Sequence, residues 1–125
     1  MALFRRSTLV DVPADIDRIP VPGITVHTAE TMVVLTVAST ASTLLIDAAA
    51  SRRPVALTGE NVVVNLVPVK DRRLVPAFDP DLGWIIPLTS AVAEDLARQV
   101  AGGPGGYEIE GLNLGVVVAD GDSAA

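Results

Sequence analysis

Apolar and polar positions begin to alternate at Gly23, with Ile24, Val26 and Thr28 set against Thr25 and His27. A two-residue period sends successive side chains to opposite faces of an extended chain, so this stretch is expected to be a strand. The dense run TMVVLTVAS at 31–39 predicts a second strand, and TLLID at 43–47 is also strand-like. Leu44, Leu45 and Ala48 fit a 3.6-residue period as well, which leaves a helical turn over 42–51 open. Arg52, Arg53 and Pro54 interrupt the pattern, and VVVNLVPV at 62–69 predicts another strand, closed by the polar turn KDRR at 70–73. PAFDPDLG at 76–83 has the two prolines, two aspartates and glycine of a loop. A short strand over 84–88 follows. Residues 90–100 are the best helix: Val92, Leu96 and Val100 recur every four residues, Thr89 or Ser90 can cap the start, and Glu94 can pair with Arg98. After the connection AGGPGG at 101–106, residues 107–121 predict two final strands that turn at Gly111 to Gly115. No internal repeat or heptad is visible in the sequence.

The strands at 32–37, 62–67 and 116–118 are apolar at consecutive positions, so they present hydrophobic side chains to both faces. A two-sheet sandwich covers one face of each sheet, and the helix, the N-terminal arm or other subunits must cover the rest. Residues 1–22 carry three prolines, which favour an extended arm over a helix. The apolar residues Leu3, Phe4, Leu9, Val10, Val12, Ile16 and Ile19 in that arm predict that it lies on its own domain or on a neighbour. The expected architecture is mainly β: an Ig-like antiparallel β-sandwich over 23–119, with one short helix, an extended N-terminal arm (1–22) and a flexible C-terminal tail (120–125).

Composition narrows the chemistry. The 125 residues suit one domain with one core. Half are hydrophobic but only 3% aromatic, so Val, Ala, Leu and Ile must build the interior, and Phe4, Phe78, Trp84 and Tyr107 are the large rings. A formal net charge of −6 opposes attraction to nucleic acid or an anionic membrane. The chain has no Cys, which removes disulfides, thiolate metal sites and thiol nucleophiles together. No secretory signal or membrane-spanning run is evident in it.

His27 is the one histidine, so a two-histidine metal site is excluded and any His-based acid/base scheme rests on a strand residue. Asp79 with Asp81, and Asp120 with Asp122, offer oxygen ligands but fall short of a calcium loop and are better explained as turn formers. Glu108 and Glu110 could form a carboxylate pair on one strand face, yet the chain lacks the rings that line a sugar cleft. The arginine turns at 52–53 and 72–73 suit interface ion pairs. The glycines at 102–106 lie behind a helix instead of ahead of one, unlike a phosphate loop. No catalytic, cofactor-binding or metal-ligating residue is assigned, and the chain is expected not to be an enzyme.

Pro54, Val55, Leu57, Thr58 and Gly59 ahead of the 62–69 strand, followed by the strand at 83–88, the helix at 90–100 and then Gly106, Tyr107, Glu108 and Glu110, form a recognisable series. Over residues 24–118 it resembles the N-terminal, Ig-like domain family of phage baseplate upper proteins. The turn before Pro54 is arginine-rich where that family commonly has an Asp-Gly type, and the arm has no family counterpart. The resemblance implies a non-enzymatic structural or adaptor protein of a phage virion, in the tail, the baseplate or decorating the capsid. It would be located in the virion and, during assembly, in the host cytoplasm. Its expected partners are other virion proteins or copies of itself in a homo-oligomer or larger assembly, with no nucleic acid, membrane or cofactor. The expected interface comprises Leu3, Phe4, Val10, Val12, Ile16, Ile19, Val33, Leu35, Val63 and Trp84. The alternative is a small carbohydrate- or peptide-binding module using the loops at 76–83 and 101–106 around Trp84.

Overall fold

The computed structural model describes residues 10–120. In chain order they form β1 (Asp17–Pro20), β2 (Thr25–Ala29), β3 (Met32–Ala38), a 3-10 turn (Ser39–Ala41), α1 (Ser42–Ala50), β4 (Val55–Thr58) and β5 (Val63–Pro68). Then follow β6 (Ala77–Asp79), β7 (Gly83–Leu88), α2 (Ser90–Val100), β8 (Gly105–Ile109) and β9 (Leu114–Ala119). The strands make a five-stranded sheet, ordered β1-β4-β5-β7-β6, and a four-stranded sheet, ordered β2-β3-β9-β8. The fold is thus the mainly β sandwich expected from the sequence.

It departs from that expectation in several details, among them strands β1, β4 and β6 in stretches that were not expected to be strands. The sheets are mixed and not antiparallel throughout, because β1 pairs with β4, β5 with β7 and β3 with β9 in parallel. Neither β5/β7 nor β3/β9 is joined by a tight hairpin, and a parallel pair needs a longer connection of this kind. There are also two α-helices instead of one. The stretch at 43–47, provisionally a strand, lies inside α1, where Leu45, Ala48 and Ala49 are buried along one side. Three successive alanines at 48–50 favour the helix, since alanine gives up no side-chain entropy there. Arg52 leaves the helix with φ +59, the left-handed exit that often ends one.

The second helix, α2, spans the expected residues. Thr89 caps it, its Oγ1 accepting from the Val92 N–H at 3.3 Å. Ala93, Leu96 and Val100 are its buried stripe. The expected Glu94–Arg98 pair is replaced by two others: Arg98 pairs with Asp95, and Glu94 with Arg52 at 3.0 Å. The closeness of α1 to α2 makes the second pairing possible.

The topology holds a repeat that the sequence hides. The segment β2-β3-α1-β4-β5 has the same order of elements as β6-β7-α2-β8-β9, a hairpin, a helix and a hairpin. Exchanging the two halves turns β2-β3-β9-β8 into β6-β7-β5-β4, which is the five-stranded sheet without β1. The parallel and antiparallel pairings also match under the exchange. Each helix carries the chain from one sheet to the other, so each sheet receives one hairpin from each half.

One core fills the space bounded by the inner faces of both sheets and the helices, with Leu35, Leu57, Leu66, Ile86, Leu96 and Val116 among its fully buried members. The strands that are apolar on both faces find different cover. On the outer face of the five-stranded sheet, Val67 and Ile85 pack with Val10 of the arm, flanked by Val12, Val69 and Leu74. The described part of the arm therefore lies on its own domain, and residues 17–20 extend the sheet as β1, with Ile19 in register with Leu57. On the four-stranded sheet, β3 alternates buried Val33, Leu35 and Val37 with half-buried Val34 and Thr36. Val117 on neighbouring β9 is 36% exposed.

Candidate functional site

Where the tips of two hairpins meet the start of β2, a cleft of about 640 Å³ opens. Its walls come from Gly23–Val26, the β4–β5 turn at 59–63 and the β6–β7 hairpin. The turn residues dictate its shape. Asp79 Oδ1 accepts from the backbone N–H groups of Asp81 (2.8 Å) and Leu82 (3.1 Å), which closes the β6–β7 turn. Gly83 follows with φ +94, and a Cβ there would lie 2.6 Å from the Val63 carbonyl oxygen. Gly59 donates its N–H to the Val62 carbonyl at 2.8 Å, and a Cβ on it would meet Ile24 Cγ2 at 2.6 Å. Glycine at these two positions lets the hairpin tips close against β5 and β2.

The hairpin is held to the sheet by Asn65, which is 2% exposed among the apolar residues of β5. Its side-chain amide donates to the carbonyls of Leu82 (2.8 Å) and Trp84 (2.9 Å). Buried donors need partners, and here both bonds fasten the wall of the cleft. Trp84 is half-buried against the core, and Phe78 stands opposite it in register. Their rings meet edge to face, with centroids 5.2 Å apart and planes at 61°.

The exposure pattern marks this corner. Among the described residues the exposed large hydrophobics are Val75 (51%), Phe78 (58%), Leu82 (42%) and Val117. Three of these four fall within residues 75–82, on or beside the β6–β7 hairpin. Phe78 and Leu82 line the cleft with Trp84, and Glu60 and Asp81 are its charged lining residues. Among the described residues no Lys, Arg or His lines it.

The residues expected at an interface are distributed differently. Trp84 and Val63 line the cleft. Val10, Val12, Ile16 and Ile19 are buried or half-buried within this chain, and Leu3 and Phe4 lie outside the described residues. Val33 and Leu35 are 6% and 1% exposed and point into the core, so they offer a partner no surface; the outward positions of β3 are the alternating ones, Val34 and Thr36. The loop at 76–83 borders Trp84 as expected, but 101–106 does not line this cleft. Phe78, Leu82 and Glu60 are lining residues that the sequence pattern did not single out. The turn chemistry of 76–83 was visible, but nothing in it distinguished an outward Phe78 from a core ring.

Other groups with possible chemistry stay apart. His27 is exposed on β2. Asp79 serves its turn. Glu108 is exposed on β8, while Glu110 follows the end of that strand, and both border a shallow acidic surface with Glu94 and Asp95 of α2. Arg73 bonds Asp71 through its side chain and backbone N–H, and these bonds hold the Asp71 carboxyl below the usual aspartate range. That pair sits on the 70–73 turn, outside the cleft lining. Among the described residues no group of three or more His, Asp or Glu is placed to hold a metal ion. No described helix is long and apolar enough to cross a membrane.

No family model and no curated protein matches the chain in sequence. Among solved structures it is similar to the crystal structure of Drosophila Suppressor of Fused, with a TM-score of 0.53 and 14% identity. The match covers 88% of this chain and 28% of that one, so the chain spans less than a third of that protein's length. At this identity the likeness is one of fold.

Proposed function

We propose that the chain is a non-enzymatic interaction module that packs against other protein chains through the Trp84–Phe78 cleft. The observation that carries this reading is the concentration of exposed apolar side chains at that corner. A Phe ring buries roughly 150–250 Å² in a full interface. With 58% of Phe78 exposed, a partner can remove about another 100 Å² from water, worth about 2.5 kcal/mol. Apolar side chains grouped in this way at a cleft are the surface that a protein partner covers. The proposed setting is a phage particle, in the tail, baseplate or capsid decoration, with other virion proteins or copies of the chain as partners; this part rests on the resemblance of residues 24–118. Native sizing of the chain in extracts of its source tests the reading. The expected result is a complex larger than the monomer that Phe78→Ser reduces to monomer, and a monomer for both proteins overturns it.

The size of the cleft also supports a second reading, capture of a small carbohydrate or peptide, because about 640 Å³ lies within the range of ligand pockets. Trp84 is the chain's one tryptophan, so a shift of its emission during titration with an oligosaccharide series would favour this reading.

A further inference from the structure

The charge of the cleft identifies the kind of segment it fits. Four ion pairs join charged side chains among the described residues: Arg52–Glu94, Arg53–Asp17, Arg73–Asp71 and Arg98–Asp95. None of them touches the cleft. Among the described residues, Glu60 and Asp81 stand exposed in a lining that holds no Lys, Arg or His and that also includes Phe78 and Trp84. Carboxylates and aromatic rings that share one lining attract a cation in two ways, by direct charge and through the ring quadrupole.

We infer that the cleft docks an extended segment of a partner chain in which a large apolar side chain stands next to Lys or Arg. The inference rests on the cleft being a protein-binding site, as proposed above. The apolar side chain lies against Phe78 and Leu82, and the neighbouring cation reaches Glu60 and Asp81. The segment seats through its side chains and does not add a strand to the sheet. The edge strand β6 has three residues and is bracketed by Pro76 and Pro80, which have no backbone N–H to donate.

The test uses the full chain and the acetylated peptide Ala-Leu-Phe-Arg-Arg-Ser, followed by Trp84 emission and by amide shifts at residues 60 and 78–84. The peptide has the sequence of residues 2–7, which carry the same chemistry. The expected result is binding about tenfold tighter than that of the Gln-Gln analogue. That advantage should vanish in 1 M salt and in the double variant Glu60→Gln, Asp81→Asn, in line with exposed charge pairs and a cation over a ring. Equal binding of the Gln-Gln peptide overturns the charge selection while leaving the protein-binding reading intact. If neither peptide binds, the inference falls, and sizing of Phe78→Ser shows separately whether that reading falls with it. If the peptide binds only after Phe4→Ser, Arg5→Gln and Arg6→Gln, the chain's own arm is the occupant and an outside partner is ruled out.

Discussion

Replacing Asn65 should loosen the cleft and the fold together. Its amide makes two buried bonds, to the carbonyls of Leu82 and Trp84, at 2.8 and 2.9 Å. Each such bond contributes about 1 kcal/mol net, and a buried carbonyl left without a donor costs roughly 1–3 kcal/mol more. Together the two bonds place Asn65→Ala at a loss of about 2–4 kcal/mol. For a domain of this size that corresponds to a fall in Tm of about 10 °C. Asn65→Asp should be at least as damaging at neutral pH, because it keeps the shape but faces a carboxylate towards two carbonyl oxygens. Protonation restores one donor, so the folded state raises that carboxyl's pKa, and the penalty grows as pH rises through the ordinary carboxylate range. Thermal and guanidinium unfolding followed by Trp84 emission measure both variants. A Tm change below about 2 °C for Asn65→Ala, with native Trp84 emission, would refute the view that this side chain fastens the hairpin.

Gly83→Ala should cost about 2 kcal/mol or more, since the residue has φ +94 and its Cβ would lie 2.6 Å from a backbone oxygen; denaturant unfolding reads it. Thr89→Ala removes the cap of α2 and should cost about 1 kcal/mol in the same assay, with Thr89→Ser largely restoring it. The Asp71 carboxyl should titrate below the ordinary aspartate midpoint by NMR and return towards it in Arg73→Gln. Its pKa is lowered in the folded state, so any stability it adds is present above the unfolded pKa and is lost as pH falls through the folded one. The pair lies in solvent on the 70–73 turn, and acid unfolding should not differ measurably between the two proteins.

Strands β2, β3, β5, β7 and β9 were legible because apolar runs with turn residues at their ends leave few other readings. The helix α2 was legible to its ends from its four-residue period and its cap. The helix α1 was ambiguous because Leu44, Leu45 and Ile46 suit a strand as well as a buried helix face, and the alanines that follow decided the outcome. Strands β1 and β6 were hidden by their prolines, which are tolerated because both strands lie at sheet edges. The hairpin–helix–hairpin repeat could not be found as a sequence repeat, since it consists of pairing order alone. The cleft was half legible: Trp84 and the 76–83 turn stood out, while the exposure of Phe78 depends on the edge position of β6. Val33 and Leu35 show the reverse failure, since a run that is apolar on both faces does not say which residues look inward.

The most direct test of the central claim is photo-crosslinking from position 78 of the full chain in its native source, with p-benzoylphenylalanine in place of Phe78 and a control at Asp47, exposed on α1. The account predicts a discrete protein adduct from position 78 and none from position 47. No protein adduct from position 78, or the same adducts from both positions, would contradict it.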